Sequence, residues 1–165
     1  MAYDVNIERP GINAVIDLQG NADAIAKHVG AGLPPFPGQA NTATEQDGLS
    51  LYWIAVDRWL LRSSLDNEER LLAMTRPDAA PEAISIVQVS DTQQYFSITG
   101  PDADDIISMA SSIDHHPSAF PQNGVSYTDI FGIKGLLIRI DNGFEVAVEA
   151  SFADMIEDYL TRANA

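Results

Sequence analysis

The chain has no cysteine among its 165 residues. Disulfides, thiolate nucleophiles, iron–sulfur clusters and cysteine-ligated zinc are therefore excluded. Positive charge is scarce: 9 Lys and Arg stand against 24 Asp and Glu, a formal net charge of -15. Such a field repels nucleic acid and anionic membrane surfaces, so neither is an expected partner. Long apolar runs are missing as well, and no window approaches the ~18 uninterrupted apolar residues of a spanning helix. The opening MAYDVNIERPG is polar, without the basic-then-apolar plan of a signal peptide. A soluble, cytoplasmic protein is expected, long enough for one domain over 1–165 with a proper core.

What is present reads as alternating strands and helices. Residues 12–19 lean apolar and end at Gly20, as a strand does. Asn21 then suits a helix cap, with Ala24, Ile25 and Val29 on one face and Gly30 and Gly32 as stops. Residues 33–48 are rich in proline and polar residues and are expected to be irregular. Residues 49–64 suggest two β segments with a turn near Asp57 and Arg58. A helix follows, capped at Asp66, with Leu65, Leu71, Leu72 and Met74 on its stripe. Residues 77–83 read as a linker.

The second half follows the same plan. Ile84, Ile86 and Gln88 alternate with Ser85, Val87 and Val89, and QQYFSITG is expected to be the hairpin partner of that strand. Pro101 opens a helix whose positive end is filled by Asp102, Asp104 and Asp105, with Ile106, Met109, Ala110 and Ile113 facing inward. Strands resume after Gly124, and Asp141-Asn142-Gly143 predicts a tight primed turn. A last helix, capped by Ser151, turns Phe152, Met155, Ile156, Tyr159 and Leu160 inward.

Gly20 and Gly100 stand 80 positions apart, and Phe36-Pro37 and Phe120-Pro121 stand 84 apart. The strand, glycine, helix, Phe-Pro, hairpin and helix of one half recur in the other. This predicts an α+β fold with pseudo-twofold symmetry. It is an internally duplicated strand-helix-hairpin-helix unit, with halves at about 1–76 and 84–165 and antiparallel sheets covered by helices.

SSIDHHPSAFPQNG, residues 111–124, holds the most chemistry-like cluster. Zinc needs three or four converging ligands. Asp114, His115 and His116 are consecutive, so their side chains diverge, and the only other histidine is His28. Ser118 near His116 lacks a nucleophile elbow. A phosphate cradle at Gly100-Pro101 would lose the proline's amide and meet three aspartates. Tyr52, Trp53 and Trp59 on a hairpin suit a core more than a flat cofactor. No catalytic, cofactor-binding or metal residue is assigned. Asp114, His116, Pro117, Phe120 and Pro121 are read as a stiff crossing from helix to strand that also serves as a structural or partner-interface motif.

Four ordered stretches carry a resemblance: VSDTQQYFSITGPDADDII, SIDHHPSAFPQNG, VSYTDIFG and GFEVAVEASFADMIEDYL. They resemble the D-V-S-D, G-P-D-A, C-P-L-D-L-H-P-x-x-F-P, T-x-x-G and R-S-F-A blocks of the gamma subunit of heterotetrameric sarcosine oxidase. Asp114 and His116 match the family's block, and His115 replaces a leucine. In YWIAVDRWLL, Trp53, Asp57, Trp59, Leu60 and Leu61 fit W-L-G-P-D-E-W-L-L, with Ala55-Val56 in place of Gly-Pro. The resemblance implies a fold like the folate-binding domain of the glycine-cleavage T-protein. It implies a non-catalytic structural subunit of a multi-subunit, sarcosine oxidase-like flavoenzyme that oxidises N-methyl amines, the isolated chain being inactive. Alpha, beta and delta-type subunits would be the partners. They would hold FAD, FMN, NAD and tetrahydrofolate, and zinc in delta, with no cofactor in this chain. The alternatives are a stand-alone folate or one-carbon-binding protein and a metal-dependent hydrolase centred on His115 and His116.

Overall fold

The computed structural model describes residues 3–165. The strands in chain order are β1 (Asn6–Glu8), β2 (Asn13–Gly20), β3 (Ala43–Gln46), β4 (Leu49–Ala55), β5 (Arg58–Ser64), β6 (Ile84–Gln88), β7 (Gln93–Thr99), β8 (Val125–Ile130), β9 (Ile133–Ile140) and β10 (Gly143–Glu149). The helices are α1 (Ala22–Val29), α2 (Glu68–Thr75), α3 (Ala103–Ala110) and α4 (Ala153–Ala163). Among the described residues no helix is long and apolar enough to cross a membrane.

Two compact units result, residues 12–91 and residues 1–11 with 92–165. Each holds one five-stranded antiparallel sheet. The orders are β3-β4-β5-β2-β6 and β8-β9-β10-β7-β1, one plan used twice. The repeated element is therefore a leading strand, a second strand, a helix, three strands and a closing helix. The leading strands are exchanged. β1 pairs with β7, Ile7 opposite Ile98, while β6 pairs with β2, Ile86 opposite Leu18. The expected hairpin of β6 with QQYFSITG is thus overturned. Both strands keep the antiparallel alternation that the sequence shows, but the Ser90–Thr92 link is a 3-10 turn and not a hairpin loop.

Each exchanged strand crosses a glycine of its neighbour at one end and is tied by hydrogen bonds of a different kind at the other. Gly20 and Gly100 close β2 and β7 at φ values of 123° and 128°, and the incoming backbone crosses directly over them. Gly20 N–H donates to Asp57 O at 2.9 Å, and Gly100 N–H donates to Asn142 O at 3.0 Å. At the other end Val89 N–H donates to Val15 O at 2.9 Å and Ser90 Oγ accepts from Val15 N–H at 3.1 Å. In the second unit Pro10 O accepts from Gln94 Nε2 at 2.8 Å. The glycine bonds at the ends of β2 and β7 repeat the duplication seen in sequence, while the bonds at the far ends do not.

The turns repeat too. Asp47-Gly48 and Phe131-Gly132 join β3 to β4 and β8 to β9, and all four residues have positive φ, as a type I′ turn requires. Residues 33–48 are therefore not wholly irregular: β3 lies inside them, a short edge strand whose Thr44 and Glu45 look polar because one side faces solvent. At Asp141-Asn142 only the second residue has positive φ, and Gly143 is already the first residue of β10. The turn there is tight but not primed, and Val56-Asp57 repeats it.

One face of each sheet carries its two helices. Phe96, Ile98, Leu137, Phe144, Val146 and Val148 meet Ala103, Ile106 and Ile107 of α3 and Ile156 and Leu160 of α4. Ile16, Leu18, Leu49, Leu51, Trp59 and Leu61 meet Ile25 and Val29 of α1 and Leu71 of α2. The opposite faces are buried as well, at Val15, Tyr52 and Leu60 in one sheet and Tyr95, Leu136 and Ala147 in the other. That two-sided burial explains why several strands read as continuous apolar runs.

Caps follow the sequence unevenly. Asn21 Oδ1 accepts from Ala24 N–H at 3.1 Å, as expected. Asn21→Ala is expected to cost about 1 kcal/mol, read as a lower urea midpoint at unchanged slope. Asp66 and Ser151 do not cap. They lie in 3-10 turns, and Ser151 Oγ donates to Glu149 at 2.8 Å. Met109, Leu65, Phe152 and Tyr159 are substantially exposed rather than inward, because the short helices rest on the sheet through Ala103, Ile106, Ile107 and Ala110 in α3 and Ala153, Ile156 and Leu160 in α4.

Candidate functional site

The crossing from α3 to β8 is built around a buried aromatic ring. Phe120 is 3% exposed and belongs to the helix-side core. Pro117 presets a turn in which Ala119 and Phe120 N–H both donate to His116 O at 2.8 Å. A second turn follows, Gly124 N–H donating to Pro121 O at 2.7 Å. A Cβ on Gly124 would meet Pro121 O at 2.8 Å and the Phe120 ring at 3.0 Å, so the Asn-Gly pair is needed for close approach.

The polar side chains of the crossing turn to different partners. Asp114 Oδ1 accepts from the backbone N–H of His116 at 3.0 Å. His116 Nδ1 stands 2.7 Å from Ser118 Oγ. His115 points away from both, its Nε2 3.4 Å from Asp104 Oδ1 and 3.4 Å from Ser108 Oγ on α3. Its ring meets Phe144 edge-on at 5.7 Å. The two imidazoles diverge as consecutive side chains must. Among the described residues no group of three or more His, Asp or Glu side chains is placed to hold a metal ion. The Ser118–His116 pair has geometry for proton exchange, but Asp114 serves the backbone and does not orient the ring.

Arg139, on β9, was not marked by the sequence. Its Nε donates to Phe120 O at 3.0 Å and its Nη2 donates to His115 O. The guanidinium lies 5.6 Å from the Phe120 ring and 4.6 Å from the Phe144 ring. It therefore clamps both ends of the DHHPSAF segment to the sheet. In the other unit the same topological place holds Phe36 on Trp59, edge-on at 4.7 Å. Trp53 stands 6.3 Å from Trp59, so these aromatics are core partners of the Phe-Pro loop. IKGLLIRI shows a strand with two basic residues, Lys134 and Arg139, so the available signal was a charge in an otherwise apolar run.

The three aspartates at α3 do not act as caps alone. Asp102 makes no cap bond to its helix; its Oδ2 accepts from Asp4 N–H at 2.8 Å. Gly100-Pro101-Asp102 is thus the seat of β1. Arg9, just past β1, donates to Asp154 at 2.9 Å and Glu157 at 2.6 Å on α4. Those hydrogen bonds, Asp154 first and Glu157 second, push the Arg9 pKa further above its already high ordinary value. The buried carboxylate of Asp17 is met by Arg58 at 2.6 Å, which makes it a structural ion pair.

The fold has relatives among solved structures. Heterotetrameric sarcosine oxidase from Corynebacterium sp. U-96, in complex with pyrrole 2-carboxylate, contains a chain that matches with a TM-score of 0.83 at 21% identity, over 96% of this chain and 83% of that one. The glycine cleavage system aminomethyltransferase T from Bartonella henselae matches with a TM-score of 0.70 at 13% identity, over 96% of this chain and 46% of that one. At these identities the likeness concerns the fold, which is the duplicated α+β fold that the family resemblance implies. Among curated proteins no sequence matches. Residues 17–165 match the sarcosine oxidase, gamma subunit family, and the chain belongs to that family.

Proposed function

We propose that this chain is a non-catalytic, structural subunit of a multi-subunit, sarcosine oxidase-like flavoenzyme acting on N-methyl amines. The observation that carries the reading, beside family membership, is the state of the DHHPSAF segment. Asp114, His115 and His116 engage the segment itself and α3, and Arg139 clamps the backbone around them. Polar residues used this way make a rigid ridge. Asp114, His116, Pro117, Phe120 and Pro121 form the partner-facing motif, Phe120 acting from below as its anchor. The partners are alpha, beta and delta-type chains. FAD, FMN, NAD and tetrahydrofolate reside in the larger of them, and zinc in delta. The chain acts as one gamma-type module in the cytoplasm and is inactive alone.

Affinity purification of the tagged chain from its native cell tests this. Flavin absorbance and sarcosine-dependent oxidase activity are expected to co-elute with it and to be absent from the isolated chain. A chain that elutes alone from cells making the other subunits would overturn the reading. The likeness to aminomethyltransferase T over 96% of this chain favours a second reading, a stand-alone folate binder. Micromolar binding of tetrahydrofolate by the isolated chain would select that one.

A further inference from the structure

A groove of about 690 Å³ opens in the unit that contains β7–β10, and its size is that of a small-molecule site. It lies between the start of β1, the first turn of α3, the β9–β10 turn and the 111–124 crossing. Asp4, Asn6, Asp104, Gln122, Arg139 and Asn142 supply its polar walls.

Arg139 is the preorganised group. Carbonyls hold its Nε and Nη2, and aromatic rings flank its plane. Among the described residues its Nη1 has no hydrogen-bond partner. A guanidinium fixed along one edge and open at the other is suited to an oxyanion. A phosphate dianion does not fit, because Asp4 and Asp104 share the walls and Pro101 lacks an amide N–H. Asp104 and Arg139 are held to opposite sides of one residue: Asp104 lies 3.4 Å from the His115 ring, and Arg139 donates to the His115 carbonyl. Arg139 and the two acidic residues Asp4 and Asp104 line one groove.

The geometry points to a binding site for a small basic amino acid, with its carboxylate on Arg139 Nη1 and its two cationic groups on Asp4 and Asp104. One negative and two positive charges on the ligand mirror those of the groove. Gln122 and Asn142 border the same groove, Gln122 Nε2 being held by Asp141 Oδ1 at 3.1 Å.

Isothermal titration of the full-length chain with L-lysine tests the site. Two analogues dissect it: cadaverine, which lacks the carboxylate, and 6-aminohexanoate, which lacks the α-ammonium. Saturable lysine binding is expected, with each analogue at least about tenfold weaker, since each loses one charge-assisted contact. Asp4→Asn and Asp104→Asn leave the Arg139 clamp intact, and each is expected to weaken lysine by about tenfold while unfolding normally in urea. No lysine heat at millimolar concentration, analogues that bind as well as lysine, or Asn variants that bind like wild type would each overturn the assignment.

Discussion

Gly100→Ala is expected to destabilise the protein by about 3 kcal/mol, with the loss centred on β1. Two costs act together. An alanine at φ 128° is strained by about 1–3 kcal/mol. Its Cβ would also stand 2.5 Å from Asp4 O and 3.1 Å from Val5 Cα, backbone atoms that cannot rotate away. The relief open to the chain is to lift β1 off β7, which breaks the Asp4–Asp102 bond and the ladder at Ile7 and Ile98. Hydrogen exchange would show early loss of protection at β1 and along the β1 side of β7. Gly20→Ala is the internal comparison. Its Cβ would meet Ala83 O and Ile84 Cγ2, both at 2.9 Å, and the isoleucine can yield. A smaller loss, centred on β6, is expected there. If Gly100→Ala melts with the wild type, the exchanged strand is not seated on that glycine.

Arg139→Leu carries the second large effect, again about 3 kcal/mol. Two hydrogen bonds from a charged donor are each worth about 1.5–3 kcal/mol, and cation–π contact adds about 1 kcal/mol. Leucine recovers part of this by packing between Phe120 and Phe144. The net loss falls on the crossing, so limited proteolysis is expected to begin between His115 and Ala119 while the sheet stays protected. Arg139→Lys should not rescue, because one ammonium on a flexible stem cannot hold two carbonyls on a fixed fork. Arg162→Leu is the control. Its i,i+4 pair with Asp158 is exposed, and its loss is expected to stay within about 0.5 kcal/mol. Equal effects of the two arginine variants would show that the clamp is not structural.

Much of this was readable locally. Asn21 predicted its own cap, since a side chain that reaches three residues ahead needs nothing else. The Gly20 and Gly100 spacing announced the repeat, though not its reason, which is an approaching backbone. Asp102 was misread because an acid at the start of a helix has the same letter whether it binds that helix or a distant N–H. Arg139 was missed because its partners are backbone carbonyls 19 and 24 residues away, which no motif records.

The sequence by itself determined that Ile84 and Ile86 share one buried face, the bends near Asp57 and Asn142, the double use of one plan and the family to which the chain belongs. Alternation, turn chemistry and spacing are local properties, and they hold for whatever neighbour arrives. Only the tertiary structure decided that β1 and β6 change places and that an arginine locks the histidine crossing. Every backbone ladder offers the same N–H and C=O groups, so a strand's pattern specifies its buried face and not its partner.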